Sequence, residues 1–289
     1  MGALALLIAA SVAPIARGQG SAPEASQYET GRAAVEQLIA QSGAQEVSVA
    51  FRTLDSSKEV FIGAGEEIRP TPQWVEIPVM IELYADVQTR AVGFDSVIVV
   101  HNSFHSATGK GVYHLDPAHD PDPELYREIG HQLSLRELEE HMMKRNSQLA
   151  TNLLIEFLGI SQINQRTASL HGSGMGLRHG FQDTAAISAG LRNTASARGM
   201  MEILSALANH GVVSAEASDE MMGALANART AGKGPFSVNS ASGAAGVYQE
   251  ALVVYGARSF ALAVVTQGLE AGPSTVLMAK IAHALAAAN

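Results

Sequence analysis

The 289-residue chain contains no cysteine. Disulfides, thiolate catalysis and cysteine zinc sites are therefore excluded. Aromatic residues are scarce, 5% of the chain against 47% apolar residues, so a packed core has to be built from Ala, Leu, Val and Ile. Positive charge is also short. The 19 Lys and Arg face 28 Asp and Glu, a formal net charge of −9, and no basic cluster occurs. That balance argues against nucleic acid and anionic membrane surfaces as partners. Its ordinary effect is solubility. Beyond the N-terminus no segment approaches the ~20 apolar residues of a membrane helix. There is no internal repeat and no low-complexity tract.

The N-terminus carries the one long apolar run, Ala3 to Ala16, followed by Ala16-Arg17-Gly18 with small residues at the two positions a signal peptidase reads. A basic stretch before it is missing. The pattern predicts a signal peptide over 1–18, a flexible tail over 19–27 and a domain over 28–289. The protein is then exported, periplasmic or extracellular, with no membrane span once the signal is removed. An uncleaved anchor is the alternative.

Apolar spacing predicts a helix from Tyr28 to Ser42, closed by Gly43. Val47–Leu54 and Val60–Ile62 then form a hairpin around Asp55-Ser56-Ser57. A helix fits Val75–Val92, with Pro78 tolerable in its first turn. Phe104–Pro123 reads as loop. Four helices follow: one opened by the capping box Ser134-Leu135-Arg136-Glu137, then Asn146–Leu158, Ile160–Leu170 and Thr194–Asn209. Between the last two, His171–Arg192 is a long loop of the functional or mobile kind. A helix over Ala215–Ala228, strands at Val247–Tyr255 and Ser259–Thr266, and a helix over Ser274–Ala288 complete the chain. Strands at both ends form one antiparallel sheet only if the helical middle is inserted. The fold class is therefore α+β: an antiparallel sheet flanked by helices in one lobe (28–80 and 212–289), with an inserted all-helical lobe (81–211).

This order, with three local strings, resembles the class A β-lactamase and penicillin-binding serine hydrolase family. The strings are Ile77-Pro78-Val79-Met80-Ile81-Glu82-Leu83-Tyr84, Leu149-Ala150-Thr151-Asn152-Leu153-Leu154-Ile155 and Gly190-Leu191-Arg192-Asn193-Thr194-Ala195-Ser196-Ala197-Arg198. The family's motifs are Ser-x-x-Lys, Ser-Asp-Asn and Lys-Thr-Gly. A serine hydroxyl is a weak nucleophile until a neighbouring base takes its proton, and one helical turn sets serine beside lysine. Backbone N–H groups bind the developing oxyanion. A second lysine and the Ser/Asn pair complete a polar groove for the substrate amide and carboxylate, and a loop glutamate hydrolyses the acyl-enzyme.

Carried onto this chain, those positions read differently. The resemblance sets Gln73 at the serine and Glu76 at the lysine. The second motif becomes Asn146-Ser147-Gln148, and the third Ala241-Ser242-Gly243, with alanine for lysine. The loop base becomes Gln182 in His179-Gly180-Phe181-Gln182-Asp183, while Asp183 and Asn193 match the pattern. Gln73 cannot form an acyl ester, and Glu76 cannot act as a cation or amine. The residues three before the five lysines (Lys58, Lys110, Lys144, Lys233, Lys280) are Asp55, Ala107, His141, Thr230 and Leu277, so no Ser-x-x-Lys exists, and no Gly-x-Ser-x-Gly elbow either.

Gln73 and Glu76 have an ordinary reading as a solvated helix start favoured by the helix dipole, and a sharper one as groove-lining groups that bind rather than cut. Trp74 is either packing or a stacking surface at the groove mouth. His101, His105, His114, Asp116, His119, Asp120 and Asp122 invite a metal, but they lack a His-Glu-x-x-His pattern and read as a surface loop, so neither metal nor cofactor is expected. Met142, Met143, Met200, Met201, Met221 and Met222 read as core. Two functions remain. One is a non-catalytic scaffold whose groove (Trp74, Ser147, Asn193, Ser242, Gly243) binds a cell-wall peptide or β-lactam-like molecule. The other is a hydrolase with a relocated nucleophile, Ser147 or Ser242.

Overall fold

The computed structural model describes residues 22–55, 58–63, 69–70, 74–89, 92–227, 237–242, 247–254 and 259–288. For 22–28, 69–70, 226–227, 237–242 and 247–254 it describes the backbone alone. Helix α1 (Ala22–Gln41) leads to β1 (Glu46–Thr53), β2 (Glu59–Gly63) and the short β3 (Arg69–Pro70). Helix α2 (Glu76–Thr89) follows, then β4 (Val97–Val99), the two-residue strands β5 (Phe104–His105) and β6 (Val112–Tyr113), and β7 (Gln132–Ser134). Next come α3 (Leu135–Arg145), α4 (Gln148–Leu158), α5 (Ile160–Ser169) and the short α6 (Thr184–Ser188). The chain closes with β8 (Thr194–Ala195), α7 (Ala197–Ala208), α8 (Ala215–Asn227), β9 (Ser237–Ser242), β10 (Val247–Val254), β11 (Phe260–Gln267) and α9 (Ala271–Ala288).

The main sheet runs β2-β1-β11-β10-β9, all antiparallel, so strands from the two ends of the chain meet at its centre. Glu46 faces Gln267 and Thr53 faces Phe260. This is the expected α+β class with its helical insertion. Both central strands are buried on both faces. On one, Val47, Val49, Phe51, Phe260, Leu262 and Val264 pack with Val35 of α1 and Leu277, Ile281 and Leu285 of α9. Phe51 and Phe260 lie 5.0 Å apart between ring centroids. The other face presents Ala50, Ala261 and Ala263 to the larger core, where small side chains let α7 lie close. Gly31 serves the same end on the first face, since a Cβ there would meet Ala288 Cβ at 2.5 Å.

All six singled-out methionines are buried, as are Leu135, Leu138, Leu149, Leu153 and Leu154. The capping box at Ser134 is present in both directions: Ser134 Oγ accepts from the Glu137 N–H at 3.2 Å, and Glu137 accepts from the Ser134 N–H at 2.8 Å. Ser134→Ala should cost about 1 kcal/mol, read as a lower urea midpoint at unchanged slope.

Several boundaries differ from those the spacing predicts. The first helix starts at Ala22, inside the segment expected to be a tail. Asn146 and Ser147 precede α4 rather than opening it. Asn146 is the left-handed C-cap of α3 (φ 53°, ψ 39°), and Ser147 is the N-cap of α4. Thr194 and Ala195 pair with β3 instead of starting α7, whose N-cap is Ser196. The 104–123 loop holds the small β5–β6 hairpin, and β4 pairs with β7. Such two- and three-residue strands leave no alternation to read. Among the described residues no helix is long and apolar enough to cross a membrane.

Candidate active site

The site begins at the first turn of α2. Trp74 is 1% exposed and belongs to the main core, so it packs rather than forming a groove-mouth surface. Its indole N–H has no partner among the described residues. Glu76 is 8% exposed, and among the described residues no hydrogen bond or ion pair reaches its carboxyl. It is therefore not a solvated helix start. Burial, and after it the nearby Asp120 carboxylate, push the Glu76 carboxyl up to about 8. At neutral pH it holds its proton, and a neutral acid is no base.

Asp120 sits at the N-terminus of α4. Its carboxylate accepts from the N–H groups of Gln148 (3.1 Å), Leu149 (2.9 Å) and Asp122 (3.0 Å), and from the Tyr126 hydroxyl (3.0 Å). The free amides of a helix start are the natural donors for such a group. Burial, and after it the Asp120 carboxylate, raise the Tyr126 hydroxyl far above the usual phenol range. Sequence spacing places Asp120 among surface aspartates; in the structure it is buried at 6%, as Asp122 is at 3%, and its bonds to the first amides of α4 are what set it apart.

Gln148 and Gln182 meet directly. Gln182 Nε2 donates to Gln148 Oε1 at 2.8 Å, and Gln148 Nε2 donates to the His119 carbonyl at 3.1 Å. Gln182 Oε1 accepts from the Asp116 N–H at 2.8 Å. Gln182 adopts a left-handed backbone (φ 60°), an uncommon state for a side chain of its size. These two amides tie the 116–120 turn to α4 and to the long loop. They spend their polar atoms on each other and on backbone.

The long loop is fastened from below. Asn193 Oδ1 accepts from the N–H groups of Arg178 (2.7 Å) and His179 (3.1 Å), while its Nδ2 donates to the His179 carbonyl at 3.0 Å. Asn152, missed as a site residue although it lies in one of the anchoring strings, accepts from the Phe181 N–H at 2.7 Å and donates to the Phe181 carbonyl at 3.0 Å. Gly180 passes so close that a Cβ would meet Tyr113 Oη at 2.6 Å and Asn152 Oδ1 at 2.7 Å. Asp183 is fully buried and caps α6.

Ser147 is fully buried, and its Oγ accepts from the Ala150 N–H at 3.3 Å, a capping role. No Lys, His or Glu side chain hydrogen-bonds to it among the described residues. Ala241 and Ser242 end the edge strand β9, where the backbone alone is described. Gln73 and Gly243 lie outside the described residues. The histidines of the middle segment are dispersed onto separate partners. His101 pairs with Glu156 (2.8 Å), His119 with Asp116 (3.1 Å), and Asp122 instead takes His141 (2.5 Å).

The structure thus joins Asp120, Gln148 and Gln182 through hydrogen bonds, two of them at positions the resemblance marks, while the buried Glu76 carboxyl feels the Asp120 charge without bonding to the group. Among solved structures, a β-lactamase from Sphaerobacter thermophilus superposes with a TM-score of 0.69 at 19% identity, covering 89% of this chain and 96% of that one. A β-lactamase from Chitinophaga pinensis gives 0.74 at 18%, covering 90% and 99%. The structure of PBP-A gives 0.70 at 15%, covering 88% and 94%. These likenesses concern the fold. No curated protein sequence matches the chain. The sequence profile of the β-lactamase enzyme family matches residues 31–288, from the first helix to the last, and the chain belongs to that family.

Proposed function

We propose that this family member is an exported binding protein that holds a ligand in the groove between its sheet-bearing part (28–80 and 212–289) and its helical part (81–211), without hydrolysing it. The ligand classes that fit the family are a cell-wall peptide and a β-lactam-like molecule. Glu76 carries the proposal. Acyl transfer at this site needs a base beside a nucleophile, and the group here is a buried carboxyl that stays protonated near pH 7. Two further features support it. Gln148 and Gln182 are occupied with each other and with backbone groups. Ser147 is sealed as a helix cap.

Incubation with a fluorescent penicillin followed by intact-mass measurement tests the proposal. The expected result is an unmodified mass. A stoichiometric acyl adduct would overturn it and return the chain to the hydrolases, with Ser242 the next residue to replace by alanine.

A further inference from the structure

We infer that the helical part carries a second binding site, a cleft beside the long loop that takes a flat aromatic ring bearing an amine. The cleft encloses about 370 Å³, within the usual range for small-molecule sites. None of Glu76, Gln148, Gln182 and Ala241 lines it, so the site stands or falls independently of the groove reading above. Its lining residues all fall inside the stretch 92–225, which is described without a break. One wall is the β5–β6 hairpin, through Phe104, Ala107 and Tyr113. The other is one face of α4 running into α5, with Asn152, Ile155, Glu156, Gly159 and Ile160 at helical spacing. Gly180 of the long loop joins them.

The walls are tied to each other, so the cleft is formed before any ligand arrives. Asn152 Nδ2 donates to Tyr113 Oη at 3.2 Å, and Asp183 of the long loop accepts from Ser106 Oγ and the Ala107 N–H. The hairpin wall is aromatic. The Phe104 ring lies 5.8 Å from Tyr113 and 5.0 Å from His101 between centroids. The helical wall is aliphatic, through Ile155 and Ile160. A slot between an aromatic and an aliphatic surface fits a flat apolar group. Its polar end is acidic. Glu156 is the one acidic residue in the lining, and no Lys or Arg lines the cleft. Glu156 Oε2 pairs with His101 Nε2 at 2.8 Å, and its other oxygen has no partner among the described residues. An ammonium reaching that oxygen would gain a charge-assisted hydrogen bond and lie near the ring faces. A carboxylate in its place would be repelled by Glu156 and by the buried Asp183.

The test is an amide NMR titration of the full chain with phenethylammonium chloride. Saturating shifts are expected at Ala107, Glu156 and Gly180, with a dissociation constant of about 1 mM or lower. Ala107 is exposed, so Ala107→Trp fills the cleft without entering the core and should weaken binding at least about tenfold. Glu156→Gln keeps an acceptor for His101 and guards against a misfolded tryptophan variant. It should weaken phenethylammonium about tenfold and leave the uncharged phenethyl alcohol unchanged. Melting curves check that both variants fold. No saturating shift, shifts that leave Ala107 and Gly180 unmoved, or equal binding by a folded Ala107→Trp each overturns the inference. So does phenylacetate binding as tightly as phenethylammonium, or a Glu156→Gln effect that is the same for the amine and the alcohol.

Discussion

Glu76→Gln should gain stability over the wild type steadily as pH rises, by up to about 5 kcal/mol between pH 4.5 and 8. The sign follows from proton binding. In the unfolded chain Glu76 titrates at the ordinary carboxyl value of 4.5, and in the folded protein at about 8. Below 4.5 both states are protonated and the side chain contributes nothing to pH dependence. Between the two values the unfolded state sheds its proton while the folded state retains it. Unfolding then becomes easier by about 1.4 kcal/mol per pH unit. Above 8 both states are ionised and the loss is complete. Glutamine has nearly the same shape and no proton to lose. Other carboxyls, including Glu139, whose burial also raises it, cancel in the difference between the two proteins. Urea unfolding at pH 4.5, 6, 8 and 9 checks the expectation. A stability difference that stays constant across that range would show that Glu76 titrates normally.

The second large effect belongs to Asp183→Ala, which should cost about 3 kcal/mol at pH 7. Asp183 is wholly buried and accepts three hydrogen bonds: from Ser106 Oγ at 2.9 Å, from the Ala107 N–H at 2.7 Å and from the Ala186 N–H at 3.0 Å. Alanine leaves the buried Ala186 N–H and the N–H of the exposed Ala107 without this acceptor, takes from the Ser106 hydroxyl one of its two partners (the other is Thr108 Oγ1 at 3.0 Å), and uncaps α6. Because Ser106 and Ala107 lie in the β5–β6 turn, the carboxylate is also the rivet between that hairpin and the long loop. Amide exchange should therefore speed up at Ala107 and Ala186 together. Asp183→Asn keeps one acceptor oxygen and should lose about half as much. A loss below about 1 kcal/mol for the alanine variant would mean that water replaces the carboxylate without cost.

Much of this architecture is legible in the sequence. Apolar spacing located α2, α3, α4 and α8, and a Ser-x-x-Glu string announced the cap of α3, because helix periodicity and capping are local. That strands from both ends of the chain share one antiparallel sheet follows from where they fall around the helical middle; their order does not. What escaped the sequence is non-local. β9 was not assigned as an element, and the pairs β3–β8, β4–β7 and β5–β6 are too short to show a period. The site divides the same way. Glu76, Gln148 and Gln182 were found by counting from neighbouring strings. Asp120 was not, since its role depends on reaching the free amides of α4 across a loop of prolines, and spacing says nothing about reach. The engagement of Gln148 with Gln182 likewise joins residues far apart in the chain.

The pairing of β1 with β11 sets the timetable of folding. Val47, Val49 and Phe51 emerge early in synthesis, but the strand that covers their edge ends at Gln267 and the helix that seals their face ends at Ala288. Until β11 and α9 have been made the nascent chain carries an open, apolar sheet edge. Closure is therefore dominated by distant contacts, and it is correspondingly slow. A chain clipped before Phe260 would hold every residue of the polar site and still have no sheet centre to mount it on.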